Sequence, residues 1–333
     1  MSHDGAVKTG ARRHVELRTG TPYANLNAAQ TRFAETLGRG WGMDPNGIIA
    51  TTGATGAIEA VRNHVAKTSA RKGAMVLTVS PGYWRARESF EGLGFEVVTL
   101  DTKQFAFTIS EAALVERAKE TRPDLVYLSL PNNPSGAIFD PHAIIRGVPE
   151  ETAVLIDLTL PSRDLDARAL TRELCESFKG RSNLFLAGST SKSHETAEYR
   201  IGWAVCASLK DADALRKENR SGVSTIAIAE GIKRIAEPPV VLEKIDRSFS
   251  FLEKGTEGGR YELIKPGRRV RSSYVLIKLL APVAGVRKTL EEGGIHVMWG
   301  SDFGLTDEYI RLETIEHPSV QIFVETINAA PIS

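Results

Sequence analysis

The 333-residue chain predicts an α/β fold, a mostly parallel seven-stranded sheet with helices on both faces, joined to a smaller α+β C-terminal unit. Three observations predict it. Seven short apolar runs recur between residues 47 and 207, the segments between them carry helical spacing, and past residue 211 the alternation stops. Runs this short and this apolar are strands buried on both faces. Strands alternating with helices build a parallel sheet.

In order, the runs are GIIATT (47–52), AMVLTVS (74–80), FEVVTL (95–100), LVYLSL (125–130), AVLID (153–157), LFLAG (184–188) and IGWAVCA (201–207). After the first, Ile58, Val61 and Val65 share one helical face. Ser110 stands at an N-cap position ahead of EAALVERAKE. Past Asp211 two helical stretches follow each other, the second with Leu242, Ile245, Phe249 and Leu252 on one side. They lead to YVLIKL (274–279), GIHVMW (294–299), YIRLETI (309–315) and a last helix with Val320, Phe323, Val324 and Ile327 on its inner face. The expected organisation is an N-terminal arm (1–28), a large ligand-binding domain (29–210), a connecting helical region (211–240) and a small domain (241–333).

Lys and Arg total 42 against 41 Asp and Glu, a net charge of +1. That balance argues against a nucleic-acid surface, which needs clustered excess cations. The expected partners are a small molecule and a second copy of the chain. Cys175 and Cys206 form neither a disulfide framework nor a metal-type spacing, so no metal site is expected and a reducing compartment, the cytoplasm, is. No stretch reaches the length of a membrane span, and the N-terminus lacks the apolar core of a signal peptide.

Ligands of an open parallel sheet bind beyond the carboxyl ends of its strands. Four strand ends are unusual. GIIATT runs into Gly53-Ala54-Thr55-Gly56 and a helix, either a plain turn or a cradle of backbone N–H groups for an anion. LVYLSL runs into PNNPSG, where the prolines fix the backbone and Asn133 can face the crevice. AVLID ends in Asp157, a carboxylate at the mouth of an apolar strand, which needs a cation from either a ligand or a structural ion pair. LFLAG ends at Ser189-Thr190-Ser191-Lys192, with Arg200 downstream. An anion cradle, an amide, a carboxylate, a lysine and an arginine together describe a site for pyridoxal 5′-phosphate.

With these motifs in this order, the chain resembles the fold-type-I pyridoxal-phosphate enzymes of the class I/II aminotransferase group over roughly residues 20 to 330. TTGATGAIEAV is similar to the family's phosphate-binding turn, SPGYWRA to its ring-stacking segment, PNNPSG to its Asn-Pro-Thr-Gly element and STSKSHETAEYRIGW to its Schiff-base segment. GIHVMWGSDFG followed by YIRLET resembles its substrate-carboxylate motif. The resemblance implies an aminotransferase moving the amino group of an α-amino acid to a 2-oxo acid. Lys192 would form the Schiff base and act as base at Cα, and Asp157 would hold the proton on the ring nitrogen. Asn133 would donate to the phenolic oxygen, Tyr83 would stack on the ring, and Gly53, Ala54, Thr55, Ser189 and Arg200 would surround the phosphate. Arg311 would clamp the substrate carboxylate. The resemblance also implies a homodimer, with Tyr23 the nearest match to the tyrosine that reaches across from the other subunit.

Two positions depart from the family's pattern. Leu160 stands where a tyrosine often donates to the phenolic oxygen, and Glu198 stands where a glycine often precedes the phosphate-binding arginine. The segment SKSHETAEYRIGWA is also similar to the alliinase-like and tryptophan-aminotransferase-like branch. A lyase, cyclase or β/γ-elimination enzyme on a specialised amino acid is therefore the alternative to a transaminase. A non-catalytic sensor is the third reading, disfavoured because no basic helix-turn-helix region precedes Thr21.

Overall fold

The computed structural model describes residues 20–219 and 222–329, with side chains from residue 26 onward. The seven expected runs form one sheet from β1 (Ile48–Thr51), β2 (Met75–Ser80), β3 (Glu96–Asp101), β4 (Leu125–Ser129), β5 (Ala153–Asp157), β6 (Leu184–Ser189) and β7 (Gly202–Cys206). Its order is β1-β7-β6-β5-β4-β2-β3. Neighbours from β2 to β6 run parallel, and β7 is antiparallel to both β6 and β1.

Strand alternation sends successive side chains to opposite faces, and both faces of this sheet are covered. Val154 and Ile156 of β5 pack with Phe33 and Leu37 of the helix Gly20–Trp41 and with Leu174 of the helix Ala167–Ser177. Ala153 and Leu155 pack in the opposite layer with Ile58, Val61 and Val65 of the helix Gly53–Thr68 and with Phe90. The Ser110 side chain caps its helix by accepting from the Ala113 N–H at 3.2 Å.

The stretch read as a connector carries more than linkage. Ala212 and Leu215 of the helix Leu209–Glu218 belong to the same apolar layer as Ile58, while Ala227, Ile228 and Ile235 of the helix Thr225–Ile235 belong to that of Phe33. The helix Gly20–Trp41 likewise crosses residue 28 without a break.

The second unit is a four-stranded antiparallel sheet of β8 (Tyr261–Leu263), β9 (Tyr274–Leu279), β10 (Met298–Trp299) and β11 (Tyr309–Glu313), in the order β10-β11-β9-β8. The helices Leu242–Gly255 and His317–Ala329 cover it through Ile245, Phe249, Leu252, Val320 and Phe323. Of the apolar segment GIHVMW, only the last two residues, Met298 and Trp299, pair in the sheet. Gly294 turns into the left-handed region (φ 67°), and the Ile295 N–H goes back to the Leu290 carbonyl at 2.8 Å. Those residues terminate the helix Val283–Glu292 instead of joining the sheet.

Candidate active site

Parallel pairing aligns the carboxyl ends of the central strands. Ser129 pairs in register with Asp157, and Asp157 with Ala187, two residues before Ser189. One cavity opens there, lined by Ala54, Thr55, Tyr83, Asn133, Asp157, Leu160, Ser189, Lys192 and Arg200, and also by Tyr274 of the small sheet. The structure therefore brings together at one place nearly every residue singled out in the sequence. Tyr23 falls in the first turns of the helix Gly20–Trp41, and its side chain lies outside the described residues.

At one end of the cavity the helix Gly53–Thr68 begins without a side-chain cap. Ala54 and Thr55 of its first turn line the cavity, and a helix start without a side-chain cap leaves backbone N–H groups and the positive end of the dipole for a ligand. Arg200 lies against this turn, donating to the Ala197 carbonyl at 3.1 Å and to the Thr52 carbonyl at 3.5 Å. Gly53 has φ 68°, and a Cβ there would come within 2.7 Å of the Arg200 guanidinium. A Cβ on Gly202 would strike the Gly53 backbone. Glycine at both positions lets β7, the turn and Arg200 pack against one another.

Asp157 is buried at the floor. Its Oδ1 accepts from the Thr159 N–H at 3.0 Å and from Thr159 Oγ1 at 2.5 Å, and its Oδ2 accepts from the Tyr127 hydroxyl at 3.3 Å. Burial pushes its carboxyl above the ordinary range, only partly offset by those hydrogen bonds. Burial, reinforced by the Asp157 charge, holds the Tyr127 hydroxyl well above its usual value, so it stays a donor. No lysine or arginine among the described residues contributes to the state of Asp157. A buried carboxylate held by neutral donors is a place for a cation brought by a ligand.

Lys192 donates to Glu313 Oε1 at 2.6 Å, and its Nζ lies 5.1 Å from the centre of the Tyr274 ring. Burial alone would lower its pKa; Tyr274 and Glu313 together outweigh burial and hold the ammonium above its ordinary range. Arg311 donates to Asn133 Oδ1 at 3.3 Å and lies 4.2 Å above the same Tyr274 ring. Tyr83 bonds with Thr55, and burial followed by the Asp157 charge raises its pKa.

The sequence matches a family model described as Aminotransferase class I and II, over residues 6–327. The chain belongs to the class I and II aminotransferase family. It is 25% identical to a histidinol-phosphate aminotransferase of Symbiobacterium thermophilum, covering 90% of this chain and 80% of that one. It is 26% identical to one of Rhodospirillum centenum, covering 92% and 84%. Its fold is similar to that of a PLP-dependent aminotransferase from Streptococcus suis, with a TM-score of 0.74 at 19% identity, covering 92% of this chain and 85% of the other.

The chain is thus a pyridoxal-phosphate-dependent aminotransferase acting on small molecules. The residues present fit that cofactor. An uncapped helix start and an arginine suit its phosphate, a buried carboxylate without a cation suits its ring nitrogen, and an amine stands in the same cavity. Four participants escaped the sequence reading: Tyr127, Thr159, Tyr274 and Glu313. Tyr127 lies two residues before Ser129 and Glu313 two residues after Arg311, each pair on one strand face, but locally a buried aromatic reads as core and a strand-side carboxylate as solvent-facing.

Proposed function

We propose that this aminotransferase takes an α-amino acid as donor and a 2-oxo acid as acceptor, with Lys192 as the residue that carries the cofactor and moves the Cα proton. The observation that carries the reading is the convergence of Lys192, Asp157, Asn133 and the Gly53–Arg200 turn on one cavity, with Arg311 joined to its wall through Asn133 and Tyr274.

When bound, pyridoxal phosphate supplies an aldehyde that captures amines and a protonated ring that accepts the electron pair left at Cα. The protein does the rest. The helix start at Gly53, with Ser189 and Arg200, holds the phosphate. Asp157, positioned by Thr159 and Tyr127, keeps the ring nitrogen protonated. Tyr83 covers the ring, and Asn133 offers its amide N–H to the phenolic oxygen. Arg311 takes the substrate carboxylate, a match for its planar fork. With the cofactor in place, the Lys192 amine would act as the base that takes a proton from one carbon and returns it to another.

Leu160 favours a second reading within the same chemistry, elimination or cyclisation of a specialised amino acid, because an apolar side chain lines the cavity where a hydroxyl donor is common. We also propose a homodimer in the cytoplasm. Exposed Tyr199, one residue from Arg200, and exposed Ile226 support an interface near the site. The free cysteines Cys175 and Cys206 support a reducing compartment. Sedimentation of a fully active monomer contradicts the dimer.

The test of the reaction mixes cofactor-loaded protein with single amino acids, follows the cofactor spectrum and identifies the products. Conversion to pyridoxamine phosphate with release of a 2-oxo acid supports transamination. Oxo acid with ammonia, or a cyclised product, supports the second reading.

A further inference from the structure

The Lys192 ammonium is held from outside its own sheet. Lys192 follows β6 of the large sheet, and its Nζ donates at 2.6 Å to Oε1 of Glu313, 121 positions later at the end of β11. Strand β11 pairs in register with β9, which sets Tyr274 opposite Glu313. The centre of the Tyr274 ring lies 5.1 Å from the same nitrogen. Among the described residues, Glu313 is the one carboxylate within ion-pair distance of Lys192.

We infer that Glu313 is a positioning residue that takes the Lys192 ammonium whenever the lysine nitrogen is free of the cofactor, and lets it go only when the extra proton has left. The inference rests on the reading above, in which Lys192 carries the cofactor. A nitrogen bonded to the cofactor is no longer an ammonium, so the ion pair belongs to the states in which Lys192 is free. Those are the cofactor-free protein and the protein whose lysine a substrate amine has displaced. In both, the carboxylate fixes the end of a long side chain that would otherwise sample many rotamers.

The proton balance makes this pair a control on cofactor capture. An ammonium has no lone pair, so it must give one proton to water before its nitrogen can attack the aldehyde carbon. The C=N bond then forms as the aldehyde oxygen leaves with the two remaining nitrogen hydrogens as water. Glu313 favours the charged form and opposes the first loss. Burial acts the other way on Lys192, and Tyr274 and Glu313 together outweigh it. The other charged or titratable groups around the cavity are Asp157, Tyr83 and Arg200 on the large sheet's side and Arg311, which stacks on Tyr274. Of all these groups only Glu313 forms an ion pair with the lysine nitrogen.

The test follows capture itself, in cofactor-free, full-length protein. Wild type, Glu313→Gln and Glu313→Asp are mixed with pyridoxal 5′-phosphate from neutral to alkaline pH, and the rate at which a borohydride-reducible link forms on Lys192 is read by mass spectrometry. Wild-type capture should speed up with pH as the ammonium loses its proton. Glu313→Gln should capture roughly two- to fivefold faster at neutral pH, the size of change a part-exposed pair supports, with the gap closing in alkali and the midpoint of the profile lying lower. Glu313→Asp keeps the charge and should stay near wild type. A Glu313→Gln profile with the wild-type midpoint overturns the inference. So does a gain by one factor at every pH, which would mean only that an anionic cofactor is repelled less. A wild type whose link forms on another residue strikes the assignment of Lys192, and the inference falls with it.

Discussion

Arg311 and Asn133 lie 178 positions apart in the chain and meet across the site, the guanidinium donating to the amide oxygen at 3.3 Å. An arginine can only donate, so this bond takes the oxygen end of the amide and leaves the N–H end for a ligand. It also ties strand β11 to the loop that follows β4.

Arg311→Ala should raise KM for amino acids roughly 10- to 100-fold, the value of a lost charge-assisted pair. A substrate analogue without the carboxylate should be almost unaffected. Steady-state kinetics on the two compounds gives the comparison, and equal losses for both would assign Arg311 to structure. Arg311→Lys should recover little, because the fork that fits a carboxylate is absent.

Lys192→Ala should abolish the borohydride-reducible link to the cofactor while the protein stays folded. Its ion pair with Glu313 is part-exposed, with side-chain exposures of 26% and 40%, and such pairs contribute about 1 kcal/mol or less. The melting midpoint should therefore move by only a few degrees. Mass spectrometry after reduction, with a thermal melt alongside, reads both effects; persistence of the adduct would sink the central assignment.

Asp157→Ala should lower turnover by roughly 10³-fold or more, as expected when the group facing the electron sink is lost. A drop of a few fold would return Asp157 to a structural role. Asp157 also makes a prediction about the cofactor-free protein. Burial raises its folded-state pKa, so the native state binds this proton more tightly than the unfolded state. The resulting stability is fully present below the ordinary carboxylate range and is lost as pH rises through the folded value. Asp157→Asn removes that titration, so the cofactor-free variant should melt higher than cofactor-free wild type at neutral pH, with the gap closing in acid.

Leu160→Tyr places a hydroxyl where the cavity wall is apolar. A donor to the phenolic oxygen stabilises that oxyanion, so the pH at which the Lys192–cofactor link loses its proton should fall. An absorbance titration of both proteins reads the shift. If a structure shows the new hydroxyl in contact and the curve stays in place, then Tyr274, which bonds Lys192 from the same cavity, already supplies the donor.

The large sheet was legible because its strands are buried on both faces, which leaves continuous apolar runs such as AVLID, and because a charge such as Asp157 at the end of a run stands out. The small sheet was less so. Two of its strands, β8 and β10, have only three and two residues, and GIHVMW carries enough apolar residues to suggest a strand although Gly294 diverts the chain into ending a helix. Glu313 and Tyr274 were missed for a related reason. On an antiparallel strand a polar residue ordinarily marks the solvent side, and nothing local in YIRLETI reveals that this side faces Lys192. Tyr127 was hidden by the opposite circumstance, since an aromatic inside an apolar strand reads as core packing until its hydroxyl is seen to reach Asp157.

The residues proposed to hold the cofactor, from Gly53 to Arg200, all precede strand β11, whose Arg311 is proposed to read the substrate. A chain emerging from the ribosome in that order releases the whole of the first group well before that strand. If the large sheet closes as it is made, a half-synthesised molecule already owns a seat for pyridoxal phosphate and has nothing with which to recognise an amino acid, so loading with the vitamin-derived group and acquisition of a taste for substrate become separate events in the birth of the enzyme.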